Sequence, residues 1–429
     1  MSDFPLLDRL NRGELKLPLA ALYAPKGAGP LPEEAESRVR QVLLGFARHF
    51  GSTDQAALFS APGRTELGGN HTDHQHGHVL CASVDLDVLA CAAPNGTSLV
   101  RIVSEGHPYI ETDISDLQVY ETEKNRSEAL IRGTAAYLIG LGAALSGFDA
   151  YVTSNVPAGS GLSSSAAFEI LLGTIFDHFF CGSRFGKLDL ARAGQFAENR
   201  YFGKPSGIMD QLGSVLGGAA ALDLADPGQP QVRKMDFPFA ESGHALCLID
   251  TCSSHADLTG EYAAIPQEMG AVAARCGKSV LREVPEEEFL SALPELRRDC
   301  GDRAVLRALH FYDEDRRSQQ EAAALERGDF AEFLRLVNAS GLSSELLLQN
   351  VWSPLDHRRQ PLTVALAYGR KLLAGAGAIR VHGGGFSGTV QAFVPLDELT
   401  GFQKGMAGLL GADACRVLRI RPQGGCVIR

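Results

Sequence analysis

The sequence predicts a protein of mixed α and β structure arranged in two lobes, and three observations carry that expectation. The chain has 429 residues, and at ~150 residues per domain two or three units are expected. Segments of helical periodicity alternate with segments that read as strands. Hydrophobic residues make up 45% of the chain and charged residues 21%, which suits a folded globular protein with a sizeable core.

Residues 1–50 read as a helical leader, with Val39, Val42, Leu43 and Phe46 on one face of an amphipathic run from Glu33 to Phe50. Residues 59–93 read as short strands around a Gly- and His-rich loop. There Val84, Leu86, Val88 and Ala90 alternate with Asp85 and Asp87, which predicts a half-buried strand. Residues 126–145 are expected to be helical, 148–156 a strand, and 163–180 a helix with Ala167, Leu171, Thr174 and Ile175 along one stripe. A further helix is expected over 188–201 and a strand over 217–224. The turn at Asp226-Pro227-Gly228 marks the expected lobe boundary, giving lobes 1–225 and 226–429. Beyond it the sequence predicts a strand over 246–251, a helical block over 266–338 and a strand-rich end over 379–429. No internal repeat or low-complexity segment is present.

Lys and Arg total 40 against 51 Asp and Glu, a formal charge of −11 without a dense basic run, so a nucleic-acid partner is disfavoured. The N-terminal residues lack the features of a secretory signal. No stretch of 18 apolar residues occurs, so no membrane span is expected. Nine cysteines without CxxC pairs suggest reduced thiols and a cytoplasmic protein. Oligomeric state is not readable.

The most chemically specific segment is Pro157-Ala158-Gly159-Ser160-Gly161-Leu162-Ser163-Ser164-Ser165-Ala166-Ala167, between an expected strand and an expected helix. Small residues let backbone N–H groups approach an anion, and a helix N-terminus adds free donors with a positive dipole end. Serine hydroxyls add donors to phosphate and one hard oxygen for Mg2+. A plain Ser-capped helix start reads the same residues without a ligand. Two rival phosphate signatures are weaker. Gly277-Lys278-Ser279 lacks the required glycine at position 272, where Val272 stands, and reads as a helix terminus. Gly383, Gly385 and Gly388 satisfy G-x-G-x-x-G, but a strand pattern follows, so a glycine turn joining two strands near a ligand is expected.

Residues 61–78 gather Arg64, Glu66, Asn70, His71, Asp73, His74, His76 and His78. Carboxylates and amides suit a sugar, whose hydroxyls each donate and accept. Imidazoles and a carboxylate could instead bind a metal, or the segment could be a solvated polar turn.

Taken together, Pro62-Gly63-Arg64 with His71-Thr72-Asp73, the serine loop, Gly207-Ile208-Met209-Asp210-Gln211 and Gly383 to Gly388 resemble, in order, the motifs of galactokinase-like GHMP kinases. The resemblance implies an α+β, two-lobed fold with ATP and sugar between the lobes. It implies an ATP- and Mg2+-dependent sugar-1-kinase with Asp210 as base and Arg64 orienting the hydroxyl. Gly159, Ser160, Gly161, Leu162, Ser163, Ser164 and Ser165 would bind nucleotide, Ser165 and Glu198 would hold Mg2+, and Asn70, His71, Asp73, His74 and Tyr262 would contact sugar. Standing alone, Glu198 would read as a solvated helix face and Tyr262 as a core tyrosine.

Departures from the family pattern open alternatives. The family usually has Gly-Glu-His-Thr-Asp-Tyr, its glutamate contacting the sugar's C6 hydroxyl, where this chain has Gly69-Asn70-His71-Thr72-Asp73-His74. An amide and a second imidazole suit a C6 carboxylate, and Asp73-His74-Gln75 resembles plant galacturonokinases. Galactose keeps the lead as substrate because Asn70 can still accept a hydrogen bond and galactokinase is the commoner activity among chains with this motif set; galacturonate is the alternative, with arabinose and N-acetylhexosamines behind. Val381-His382 stands where the family usually has Met-Thr. A galactose- and ATP-binding sensor without turnover is a third reading, opposed by the presence of Arg64, Asp210 and Ser163 to Ser165 together.

Overall fold

The protein is described from a computed structural model covering residues 4–24, 30–157, 159–251, 258–353, 355–386 and 388–429, apart from the Thr259 side chain. Ala158 of the serine loop, Ser253 to Asp257 upstream of Tyr262, and Ser387 within the last glycine-rich turn lie outside the described residues.

Helices α1 (Pro5–Asn11), α2 (Lys16–Tyr23) and α3 (Glu33–Phe50) lead into strands β1 (Ala57–Gly68), β2 (His78–Pro94), β3 (Leu99–Ser104) and β4 (Ile110–Asp113). Next come α4 (Ser127–Gly140), β5 (Phe148–Ser154), α5 (Ser164–Phe180), α6 (Lys187–Phe196) with a π-helical turn at Ala197–Phe202, and α7 (Met209–Leu216). Strands β6 (Ala219–Asp223), β7 (Gln231–Met235) and β8 (His244–Asp250) precede the helical run α8 (Thr259–Arg275), α9 (Glu286–Ser291), α10 (Leu293–Cys300), α11 (Asp302–Glu326), α12 (Phe330–Ser343) and α13 (Pro361–Leu373). The chain finishes through β9 (Ala378–His382), β10 (Thr389–Pro395), α14 (Leu399–Leu410), β11 (Cys415–Leu418) and β12 (Cys426–Ile428). This is an α+β arrangement built on two sheets.

The first sheet runs β12-β1-β2-β5-β3-β4, with β6 and β7 extending from β2; the second runs β11-β8-β10-β9. At 17 residues, β2 is long enough to pair with β6 through its first half and β5 through its second. The turn at Asp226-Pro227-Gly228 therefore joins β6 to β7 inside one sheet, and β12 returns to β1 from beyond it. Residue 225 does not coincide with a change of sheet. The expected short strands over 59–93 are in fact two long ones, and residues 61–68 of the motif are strand rather than loop.

Both faces of the first sheet are covered. Val39, Val42, Leu43 and Phe46 of α3 pack with Leu58, Leu89 and Cys91 on one side. On the other, Ile170, Leu171 and Ile175 of α5 pack with Phe59, Ala90 and Ala92. This double cover overturns the half-buried reading of β2: Asp87 is wholly buried and Leu86 only partly. A carboxylate can stay in such a place only with charge and hydrogen bonds around it. Arg38 Nη1 lies 2.5 Å from Asp87 Oδ1, Arg421 Nη1 3.0 Å from Oδ2 and the Tyr23 hydroxyl 2.7 Å from Oδ2, and the Ser60 hydroxyl also donates to it. Burial alone would push this carboxyl up, but the two guanidinium charges and the Ser60 bond outweigh it and hold it low.

The second sheet carries α13 and α14 on one face and α12 on the other, where Phe333 meets Phe393. Helix α13 falls where the sequence reading assigns nothing, and α14 within a stretch read as strand-rich. Gly277 to Ser279 follow the last turn of α8, as expected of a helix terminus. Among the described residues no helix is long and apolar enough to cross a membrane.

Arg421→Met would leave Asp87 buried with one guanidinium instead of two. It should lower unfolding free energy by about 3–5 kcal/mol, the scale for breaking a buried ion pair, measured by urea titration at neutral pH. Because the folded-state pKa of Asp87 is depressed, its contribution is present above the ordinary aspartate value and lost as pH falls through the lowered one. The gap between wild type and variant should therefore narrow in strong acid, and a gap constant with pH would contradict the assignment.

Candidate active site

Two cavities meet between residues of β1 and residues of the β9–β10 segment. The larger, about 380 Å3, is lined by Gly159, Gly161, Ser163, Ser164, Ser165, Leu258, His382, Phe386 and Thr389 among others. The smaller, about 50 Å3, is lined by Glu66, Asn70, His71, Asp73, His74, Ser206, Gly207 and Met209 among others. Arg64, Lys204, Asp210, Tyr262 and Gly384 belong to both walls.

Backbone geometry sets Arg64 at the junction. A bulge between Pro62 and Arg64 breaks the β1–β2 register. Gly63 lies so close to the serine loop that a Cβ there would come within 2.9 Å of Leu162 O. Arg64 N then donates to Leu162 O at 2.9 Å, and Arg64 Nη1 donates to Gly161 O. The rest of the guanidinium grips Asp210, with Nε 2.8 Å and Nη2 2.6 Å from Oδ1. Asp210 is in the first turn of α7, where the helix dipole favours a negative charge, and its Oδ2 accepts from Ser163 Oγ at 2.7 Å. Burial pushes the carboxyl up; Arg64, Lys204 and the Ser163 bond more than reverse this, so Asp210 is ionised.

Ser163, in left-handed backbone geometry, stands at the N-cap position of α5 with its hydroxyl given to Asp210, and the first residues of the helix line the larger cavity. Gly159 and Gly161 also have positive φ, and a Cβ on Gly161 would stand 2.9 Å from His382 Nδ1. Ser160 and Leu162 do not line this cavity. The Ser160 hydroxyl donates to Pro157 O at 2.7 Å and shapes the loop, while Leu162 is in the core. Ser165 Oγ donates to Glu198 Oε1 at 2.9 Å, and Lys204 Nζ lies 2.9 Å from the same oxygen. Glu198 Oε2 accepts from Ser206 Oγ at 2.6 Å and Gln211 Nε2 at 3.1 Å. Glu198 is thus a buried, fully engaged carboxylate rather than a solvated one.

In the smaller cavity, His71 Nε2 donates to Gly384 O at 3.0 Å, and burial drives its pKa down to about 3, so the ring is neutral. The rings of His71, His74 and Tyr262 cluster at 5.4 to 6.4 Å between centroids. Asp73 lies against Gly207, where a Cβ would be 2.4 Å from its Oδ2. Tyr262 lies over Gly384 in the same way, a Cβ there falling 2.5 Å from the ring. The imidazoles do not assemble a metal site: His78 turns to Asp315 and Asp223, and among the described residues no group of three or more His, Cys, Asp or Glu converges on a metal position.

Asn70 is placed differently from its expected role. It touches the cavity wall, but its Nδ2 donates to Glu66 Oε1 at 3.0 Å and Gly383 O at 2.9 Å, and its Oδ1 accepts from Asn350 Nδ2 at 3.0 Å. Beside it stands Glu66, whose Oε1 also accepts from Arg380. Glu66, Lys204 and His382 are cavity residues that the motif reading missed. Glu66 follows Arg64 by two positions and so shares its strand face; Lys204 lies between Glu198 and Asp210. Those spacings were the available signals. His382, neutral with its pKa pushed down to about 3 by burial, sits 3.0 Å from Thr65 Oγ1 across the two sheets, a contact no local pattern carries.

Residues 45–94 match a galactokinase galactose-binding signature, and residues 129–218 match the N-terminal domain of GHMP kinases. A galactokinase from Streptomyces coelicolor is 31% identical over 389 residues, 88% of this chain and 95% of the relative. A galactokinase from Lactobacillus helveticus is 30% identical over 83% of this chain and 90% of its own length. The crystal structure of Lactococcus lactis galactokinase complexed with galactose superposes with a TM-score of 0.76 at 26% identity, covering 89% of this chain and 97% of that one. Mevalonate kinase from Methanococcus jannaschii shares the fold alone, with a TM-score of 0.60 at 15% identity over 86% of this chain and 99% of its own.

Asn70→Glu would set a second buried carboxylate against Glu66 and remove two donated hydrogen bonds. It should lower stability by about 2–4 kcal/mol. The exchange Glu66→Asn with Asn70→Glu restores one acid and one amide to the pair and should recover at least half of that loss in a urea double-mutant cycle. Simply additive losses would show that the two side chains are not coupled.

Proposed function

This chain belongs to the galactokinase family of GHMP kinases and is a sugar kinase, and we propose that it transfers the γ-phosphoryl group of ATP to the anomeric hydroxyl of galactose. The observation that carries this reading is Asp210, an ionised carboxylate held by Arg64 and Ser163 where the serine-loop cavity meets the polar one. ATP would take the larger cavity, its phosphates on the backbone of residues 159–165 and the N-terminus of α5. The sugar would take the smaller, between Asp73, the imidazoles and Tyr262.

In that arrangement Asp210 accepts the proton of the anomeric hydroxyl. A carboxylate of depressed pKa serves because phosphoryl transfer has a loose transition state in which the nucleophile surrenders its proton late. Arg64 keeps Asp210 charged and aims its oxygen. Donors at the serine loop stabilise charge on the transferring group as it moves. Ser165, on the wall of the larger cavity, and Glu198, which accepts its hydrogen bond, are hard oxygen donors of the kind Mg2+ prefers, so the residues fit the ion. Bound there, Mg2+ would offset phosphate charge.

Galactose is favoured over galacturonate on two grounds. The amide of Asn70, one basis for a uronate reading, is engaged inside the protein by Glu66, Gly383 O and Asn350. The galactose-bound Lactococcus lactis relative supports the same choice. The presence of Arg64, Asp210 and the serine donors in one constellation speaks for turnover rather than sensing alone.

ADP release with Mg·ATP and galactose, galacturonate, arabinose or N-acetylgalactosamine should give the highest kcat/KM with galactose. Faster turnover of galacturonate would overturn the substrate, and binding without turnover of any sugar would overturn the reaction. Asp210→Ala should lower kcat on the order of 100-fold or more, the usual scale for loss of an acid–base group, with nucleotide binding retained. Arg64→Met removes the main influence holding the Asp210 pKa down. The acid limb of its pH–kcat/KM profile should accordingly move to higher pH, and an unmoved limb would separate Arg64 from the ionisation of Asp210.

A further inference from the structure

Lys204 lies where no family motif placed a residue, on the turn between Glu198 and Asp210. Gly203, at φ +88°, ends the π-helical turn, and Lys204 N donates to Glu198 O at 3.1 Å, so the backbone itself fixes where the side chain starts. The ammonium is tethered by one hydrogen bond, 2.9 Å to Glu198 Oε1. Yet 43% of the side-chain surface remains open, against 1% for Glu198. The side chain faces the junction, lining both cavities together with Arg64, Asp210, Tyr262 and Gly384.

Arg64, the other permanent cation at the junction, cannot readily turn to a moving group. Its Nε, Nη1 and Nη2 are all bonded, to Asp210 and to Gly161 O. An ammonium has three rotatable donors on a flexible stem, and Lys204 gives one of them to Glu198. The remaining donors belong to the wall that the two cavities share. We propose that Lys204 is a catalytic residue whose ammonium donates hydrogen bonds to the phosphoryl group during its transfer, an inference that rests on reading the two cavities as nucleotide and sugar sites.

The chemistry balances without a proton from lysine. The bond from the sugar O1 to the γ-phosphorus forms while the bond from that phosphorus to the β,γ-bridging oxygen breaks, its electron pair leaving with ADP. The hydroxyl proton passes to Asp210. Lys204 keeps its three protons and opposes charge on the equatorial oxygens, the kind of interaction that acts most strongly in the transition state.

Lys204→Met, assayed with Mg·ATP and galactose, should lower kcat on the order of 100-fold and leave the galactose KM within about threefold, with Lys204→Arg recovering part of the loss. A binding measurement independent of turnover uses ADP, galactose and aluminium fluoride as a stand-in for the phosphoryl group in flight. Wild type should bind ADP more tightly when fluoride and galactose are present, and the Met variant should lose that gain while its affinity for ADP alone is kept. A Met variant with kcat near wild type and the gain intact would overturn the proposal and leave Lys204 as a counter-ion of Glu198, visible only as a lower Tm. A wild type showing neither turnover nor the gain would overturn the cavity reading, and the proposal with it.

Discussion

The grip of Arg64 on Asp210 is the interaction on which the site depends, because it joins three elements far apart in the chain. Arg64 belongs to β1, Gly161 O to the serine loop and Asp210 to α7, and one guanidinium bonds the last two. A buried guanidinium without an anion would be strongly unfavourable, and a buried carboxylate equally so; each is tolerable only beside the other. Close approach is what permits it. A Cβ on Gly213 would stand 2.8 Å from Arg64 Cβ, so α7 can lie on β1 only with glycine there. The phosphate loop, the base and the strand of the sugar cavity are thereby held in one mutual geometry.

A second set of polar contacts fixes the far wall. Gln391 Nε2 donates to Thr65 Oγ1 at 2.7 Å and Glu66 O at 2.9 Å, while Arg380 pairs with Glu66. These side chains of β9 and β10 reach across from the second sheet to the first. From another side, Glu314 of α11 accepts from the N–H groups of Gly69 and Asn70, and His310 donates to Asn70 O at 2.9 Å. The turn that presents His71 and Asp73 is therefore held by a helix more than 200 residues away. Glu314 remains ionised although burial opposes it, because Arg317, His310 and Arg380 hold its pKa down at about 2.

What was legible in the sequence was local. The amphipathic stripe of α3 gave its bounds, and small residues between strand and helix gave the serine loop, since both depend on periodicity or on backbone access over a few positions. The glycine-rich turn at 383–388 was readable for the same reason and does join two strands beside the cavity. Asp87 was misread because alternation reports one covered face, and only tertiary structure adds the second. Helix α14 was hidden by Gly401, Gly405 and Gly408, poor helix formers; Gly405 allows α14 to lie against Leu372 of α13. Asn70 was legible as sugar-site chemistry but not as the partner of Glu66, because Arg380, which completes the pair, comes from the other sheet.

The ring of charges around Asp87 also bears on how the protein is made. Arg38 and Asp87 are 49 residues apart, but Arg421 follows Asp87 by 334 residues, and β12 closes the free edge of β1. During synthesis the first sheet thus leaves the ribosome with an open strand edge and a half-neutralised carboxylate in its interior. Both persist until translation has passed through all of the second sheet, whose last strand ends at Leu418. Over that interval the start of β1 has an unpaired strand edge, the kind of edge to which another chain can add.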